Sequence, residues 1–132
     1  MILVDTTVWI DFFKGRETSE VSRLEKIIEE EVDVFTTGMV VQELLSGIKR
    51  KQERIRVKEN LEKFILVMPS LLTHVNAAEI YDGCCKKGYT IRSSVDCLLA
   101  ALALEYDLQL LERDKDFRFI AKVYPLELIM AE

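Results

Sequence analysis

The sequence predicts an α/β fold, a central parallel β-sheet flanked by α-helices, on three observations. Short apolar runs alternate along the chain with stretches whose apolar residues recur at helical spacing, the order expected of strand-helix-strand units. The opening run stops directly on Asp5 and a later one leads into Asp114, the strand exits at which open parallel sheets gather ligands. The 132 residues, 49% hydrophobic, suffice for one core and show no repeat or Pro/Gly/Ser-rich linker, so a single domain over 1–132 is expected.

Residues 1–4 form the first strand, stopped by Asp5-Thr6-Thr7, after which Val8, Trp9, Phe12 and Phe13 mark a short helix up to Lys14-Gly15. Ser19 opens a second helix with Val21, Leu24, Ile27 and Ile28 on one face, ending in Glu29-Glu30-Glu31. A strand follows over 32–36, and Thr37 caps a helix carrying Val40, Val41, Leu44, Leu45 and Ile48. The charged stretch 49–59 leads into a helix ending near Phe64, then a strand at 65–68 before Pro69. A helix over about 73–87 is closed by Gly88, and a buried one spans about 94–106. A strand at 108–111, a short helix after Asp114 and a last strand at 122–124 complete the order, with right-handed crossovers expected.

The composition excludes several classes. The longest apolar run, 97–104, is well short of the roughly 20 residues that span a bilayer, and no charged segment precedes an apolar one at the start. A soluble, cytoplasmic protein without membrane contact is expected. Cys84, Cys85 and Cys97 lack the spacing of a zinc knuckle or redox pair and read as reduced and structural. The net charge of −5 argues against general nucleic-acid coating, yet Lys49, Arg50, Lys51, Arg54, Arg56 and Lys58 cluster. They form either a solvated helix face or an edge that meets phosphate.

Four acids carry the chemistry: Asp5, Glu43 within an apolar helix, Asp96 opening another, and Asp114. Each has an ordinary use, Asp5 as a helix cap, Asp96 in a capping box with Ser93, and Asp114 and Asp116 in a solvated turn. Glu43 is harder to explain that way, because its helical neighbours Met39, Val40 and Gly47 offer it no partner. Two carboxylates within about 4 Å repel by roughly 4 kcal/mol at an effective dielectric of about 20, so several converging acids demand a cation. All-oxygen ligation selects magnesium or manganese. Thr6 and Thr7 supply hydroxyls that orient a carboxylate or a bound water, or else cap the helix.

The segments 4–11 (Val-Asp-Thr-Thr-Val-Trp-Ile-Asp), 41–44 (Val-Gln-Glu-Leu), 94–101 (Ser-Val-Asp-Cys-Leu-Leu-Ala-Ala) and 110–117 (Leu-Leu-Glu-Arg-Asp-Lys-Asp-Phe) resemble, in order over nearly the whole chain, the PIN-domain ribonucleases and among them the VapC-type toxins. The resemblance implies an acidic quartet of Asp5, Glu43, Asp96 and Asp114 with Asp116 as a fifth member. It also implies a Mg2+- or Mn2+-dependent endoribonuclease, a homodimer, and a cognate VapB-like antitoxin with an arginine-bearing tail that holds it inactive. One departure stands out: the family commonly has a hydroxyl residue two positions before the fourth acid, and here that residue is Glu112.

The expected mechanism places one or two divalent ions on Asp5, Asp96, Asp114 and, directly or through water, Glu43, to bind the scissile phosphate and activate water for in-line attack. Lys49, Arg50 and Lys51 are the candidates for RNA-backbone contact. A two-histidine ribonuclease is excluded because His74 is the sole histidine. A haloacid-dehalogenase-like phosphohydrolase needs Asp-x-Asp after the first strand, where this chain has Asp5-Thr6-Thr7. Dinucleotide binding lacks its glycine-rich loop. A catalytically silent PIN-like module that uses its acidic pocket for a partner's arginine is the rival from another class.

Overall fold

The computed structural model describes residues 1–130, so the end of the expected 1–132 domain lies outside the described residues. The order is β1 (Ile2–Val4), α1 (Thr6–Phe13), α2 (Ser19–Glu29), β2 (Val34–Thr36), α3 (Gly38–Ser46), α4 (Lys51–Leu61), β3 (Ile65–Leu66), α5 (Leu71–Lys86), α6 (Ser94–Glu105), β4 (Gln109–Leu111) and α7 (Lys115–Val123). The strands form one parallel sheet in the order β3-β2-β1-β4. The expected α/β architecture is what the chain adopts.

Consecutive strand residues point to opposite faces. All three residues of β1 are at most 5% exposed, so both faces of the sheet centre are covered, as parallel sheets require. α6 is buried from Asp96 to Ala103 and packs chiefly on α5, consistent with its apolar character all round. The aromatic residues of α1 serve the core: Trp9 is fully buried against Phe12, Phe13 and Phe64.

Three local expectations need correction. No strand forms at 122–124. Phe117 and Ile120 continue a helical face, α7 runs to Val123, and the helix stops at Tyr124, which is extended because it precedes Pro125. Among the described residues, the chain then pairs with β4 through an isolated bridge between Leu110 and Leu128. Thr37 and Ser93 occupy N-cap positions without a side-chain cap bond, so the capping box suggested for Ser93 and Asp96 is absent. A real capping box opens α5 instead, between Ser70 and Thr73.

The topology positions the site. Connections leave β1 toward β2 on one side, while β4 lies on the other, which makes the carboxyl ends of β1 and β4 the switch point of the sheet. The Asp5 N–H donates to the Leu111 carbonyl at 3.0 Å, fastening the two strand ends together.

Candidate metal centre

Asp5 follows β1, Asp114 follows β4, and the first turn of α6 carries Asp96 to the same edge. One carboxylate oxygen each from Asp96, Asp114 and Asp116 lies within 4.8 Å of the other two. Asp116 is thus a full member of the cluster rather than an accessory. Asp5 flanks the trio closely enough for its charge to act on Asp96.

Three of the four side chains, those of Asp5, Asp114 and Asp116, are tied to named donors or backbone N–H groups. Asp5, 4% exposed, accepts from the Thr6 N–H at 2.7 Å and from the Thr7 hydroxyl at 2.6 Å. Asp5 therefore does cap α1, and the cap leaves its carboxylate at the site edge. Asp114 caps α7 by accepting from the Asp116 N–H at 3.0 Å, while Asp116 accepts from the Arg92 N–H at 3.0 Å. Asp96, 6% exposed, is different: its Oδ2 is buried with no hydrogen-bond partner. A buried carboxylate oxygen without a donor is costly unless a cation or proton satisfies it.

The electrostatics follow. Burial pushes Asp96 up to about 8, helped by the charges of Asp5 and Asp114 and by Asp116. Burial also pushes Asp5 up to about 6, opposed by its bonds from Thr7 and Thr6 and reinforced by Asp114 and Glu112. The metal-free cluster therefore retains protons that a divalent ion would displace. An all-carboxylate donor set with one orphaned buried oxygen fits a hard divalent cation.

Glu43 departs from expectation. It is exposed rather than buried among apolar neighbours, and it has a partner: the Thr6 hydroxyl donates to its Oε1 at 2.9 Å. Thr6 thereby links α1 to α3, with Asp5 bound to its N–H and Glu43 to its hydroxyl. Lys49, Arg50 and Lys51 are exposed at the turn into α4, and none of them bonds a carboxylate of the cluster.

Two sets of contacts escaped sequence reasoning, although Glu112 itself stood out as a departure. Glu112 is 8% exposed and pairs through Oε1 with Arg118 at 3.4 Å, leaving a buried Oε2 unpartnered beside Asp114. Burial raises its pKa, with Arg118 opposing. Asp11, 2% exposed, binds Arg16 and Arg113. An acid embedded among Trp9, Ile10, Phe12 and Phe13 was the available signal. His74 lines an open cleft of about 480 Å3 that also includes Ser94 and Val95 but none of the clustered acids.

The family model described as PIN domain matches residues 2–123. The VapC ribonuclease Mb1587 of Mycobacterium bovis is 30% identical over 133 residues, covering 96% of each chain. Two solved structures share the fold. A chain of FitAcB from Neisseria gonorrhoeae aligns with a TM-score of 0.77 at 22% identity, over 99% of this chain and 98% of that one. A chain of VapBC2 from Rickettsia felis, bound to a promoter DNA fragment, aligns with a TM-score of 0.77 at 20% identity, over 98% of each.

Proposed function

The chain belongs to the PIN-domain family, and on that premise we propose that it is a divalent-metal-dependent endoribonuclease acting as the toxin of a toxin–antitoxin pair. The observation that carries the reading is the convergence of Asp96, Asp114 and Asp116 within 4.8 Å beside Asp5 at the switch point of a parallel sheet. Its physical logic is that clustered carboxylates repel and, without metal, hold protons that a divalent cation would displace.

In this reading Asp5, Asp96, Asp114 and Asp116 hold Mg2+ or Mn2+, with Glu43 reaching it directly or through water. An ion held there would supply charge neutralisation at the phosphoryl group and a lowered pKa for the attacking water. Thr7 and the Thr6 N–H fix the Asp5 carboxylate, the Thr6 hydroxyl aims Glu43, and the Arg92 N–H fixes Asp116. Burial raises the Asp96 pKa, so a cation bound there would displace its proton. Lys49, Arg50 and Lys51 contact the RNA backbone away from the scissile phosphate.

The partners follow from the same premise: a VapB-like antitoxin whose arginine enters the acidic cluster, and a second copy of the chain. Support for the second copy lies in the segment 65–75, where Ile65, Leu66, Met68, Leu71, Leu72 and Val75 are 42–81% exposed. A cytoplasmic location completes the reading. Among the described residues no helix is long and apolar enough to cross a membrane.

The test is cleavage of a mixed RNA panel by antitoxin-free protein with Mg2+, Mn2+ or EDTA, alongside Asp96→Asn. Metal-dependent cuts lost in the variant are expected. A folded protein that binds divalent metal and cuts no RNA under any condition would favour the silent partner-binding module.

A further inference from the structure

The turn that carries Asp114 is tethered from outside the cluster. Asp11, near the end of α1, is 2% exposed and uses both carboxylate oxygens on arginines. Oδ1 accepts from Arg16 at 3.0 Å, and Oδ2 accepts from Arg113. Burial alone would raise the Asp11 pKa, but these two guanidinium groups hold it below the ordinary carboxylate range. The carboxylate is therefore charged and fully engaged.

The two arginines are not equivalent. Arg16 lies five residues from Asp11 in the chain and its N–H also donates to the Asp11 carbonyl at 2.9 Å, so this bond closes only the end of α1. Arg113 comes from 102 residues away and sits between Glu112 and Asp114 in the turn from β4 to α7. Its Nε also faces Glu20 of α2 at 3.9 Å. The same turn must hold Asp114 against the repulsion of Asp96 and Asp116.

We propose that Asp11 is a positioning residue, which through Arg113 locks the β4–α7 turn so that Asp114 and Glu112 stay turned toward Asp5 and Asp96. The inference rests on the metal-centre reading above and extends it to a residue that touches neither metal nor substrate. It also has a sign that electrostatics alone would not give. Removing the Arg113 cation makes the region more negative, which by charge alone would tighten divalent-metal binding. Loss of positioning weakens it.

The experiment compares Arg113→Gln with Arg16→Gln in the full chain, reading Mn2+ binding by electron paramagnetic resonance, RNA cleavage, and folding by circular dichroism. Both variants remove one guanidinium from the same carboxylate, so a general stability effect is shared. Arg113→Gln is expected to weaken Mn2+ binding by roughly 10–100-fold, the range seen when a metal ligand loses its supporting partner, and to lower kcat with KM for RNA little changed. Arg16→Gln is expected to stay within about twofold of the parent, and Arg113→Lys to recover part of the loss. Equal or tighter Mn2+ binding by Arg113→Gln, or equal losses in both variants, would overturn the proposal. A parent that binds Mn2+ and cuts no RNA removes the nuclease reading while leaving the positioning test intact. A parent that binds no Mn2+ overturns both.

Discussion

The Thr6 hydroxyl crosses from α1 to α3 to donate a 2.9 Å hydrogen bond to Glu43, an acid 37 residues away. The bond lets an exposed glutamate keep one orientation beside a buried aspartate held by the same threonine's N–H.

Thr6→Val should therefore free Glu43 while leaving the backbone bond to Asp5 in place. Metal affinity is expected to fall about tenfold, the lower end for loss of an orienting partner, with the melting temperature nearly unchanged. Isothermal titration with Mn2+ checks this, and unchanged affinity would mean that Glu43 stands outside the metal's coordination.

Protonation sets a second expectation, for the metal-free protein. Asp96 and Asp5 titrate near 8 and 6 in the folded chain, against 3.8 for an ordinary aspartate. Raised values mean that the folded state binds protons that the unfolded chain has released, so their contribution is complete below about pH 4 and is lost as pH rises toward about 8. In EDTA the melting temperature should decline across that window. Mg2+ should restore more of it at the alkaline end, where fewer protons compete. Asp96→Asn should remove most of the decline along with cleavage. Asp11 acts with the opposite sign, since its lowered pKa gives stability above the ordinary carboxylate range that is lost below it. A melting temperature that is flat or rising in EDTA from about pH 4 to about pH 8 would contradict this account.

A third prediction concerns packing. Gly83 lies inside α5, and a Cβ there would collide with the Tyr124 hydroxyl, which donates to the Glu79 carbonyl at 3.1 Å. Gly83→Ala gains about 1 kcal/mol of helix propensity but costs about 1–3 kcal/mol by crowding, so net destabilisation is expected. In a Tyr124→Leu background the sign should reverse, because the ring is gone. Urea unfolding of the four proteins of the cycle measures the coupling.

Association gives a fourth. Leu71 and Leu72 are 81% and 63% exposed, more than a helix start facing water has reason to be. If a second copy covers them, Leu71→Glu with Leu72→Glu should yield a monomer by light scattering. A monomeric parent at high concentration would remove the homodimer from the reading.

Much of this was legible in the sequence, for physical reasons that differ by residue. The placement of Asp5 and Asp114 at one sheet edge was legible because an acid that stops a strand run sits at a strand exit. Asp96 was legible because an acid opening an all-apolar helix must face a cleft. The surroundings of Glu43 were not: helical neighbours report its own face, while its partner Thr6 comes from another helix. The strand expected at 122–124 failed because Val123 and Tyr124 have strand-forming side chains but continue the helical spacing of Phe117 and Ile120. The Arg113 tether to Asp11 spans 102 residues, a distance no local pattern encodes.

The pairing of β1 with β4 has a consequence for synthesis. Val4 pairs with Leu111, and the Asp5 N–H bonds the Leu111 carbonyl, so the first acid made waits for nearly the last strand made. A nascent chain that has not yet produced β4 lacks both Asp114 and the neighbour that orients Asp5. A partly translated chain therefore has no assembled acidic cluster until β4 has paired with β1.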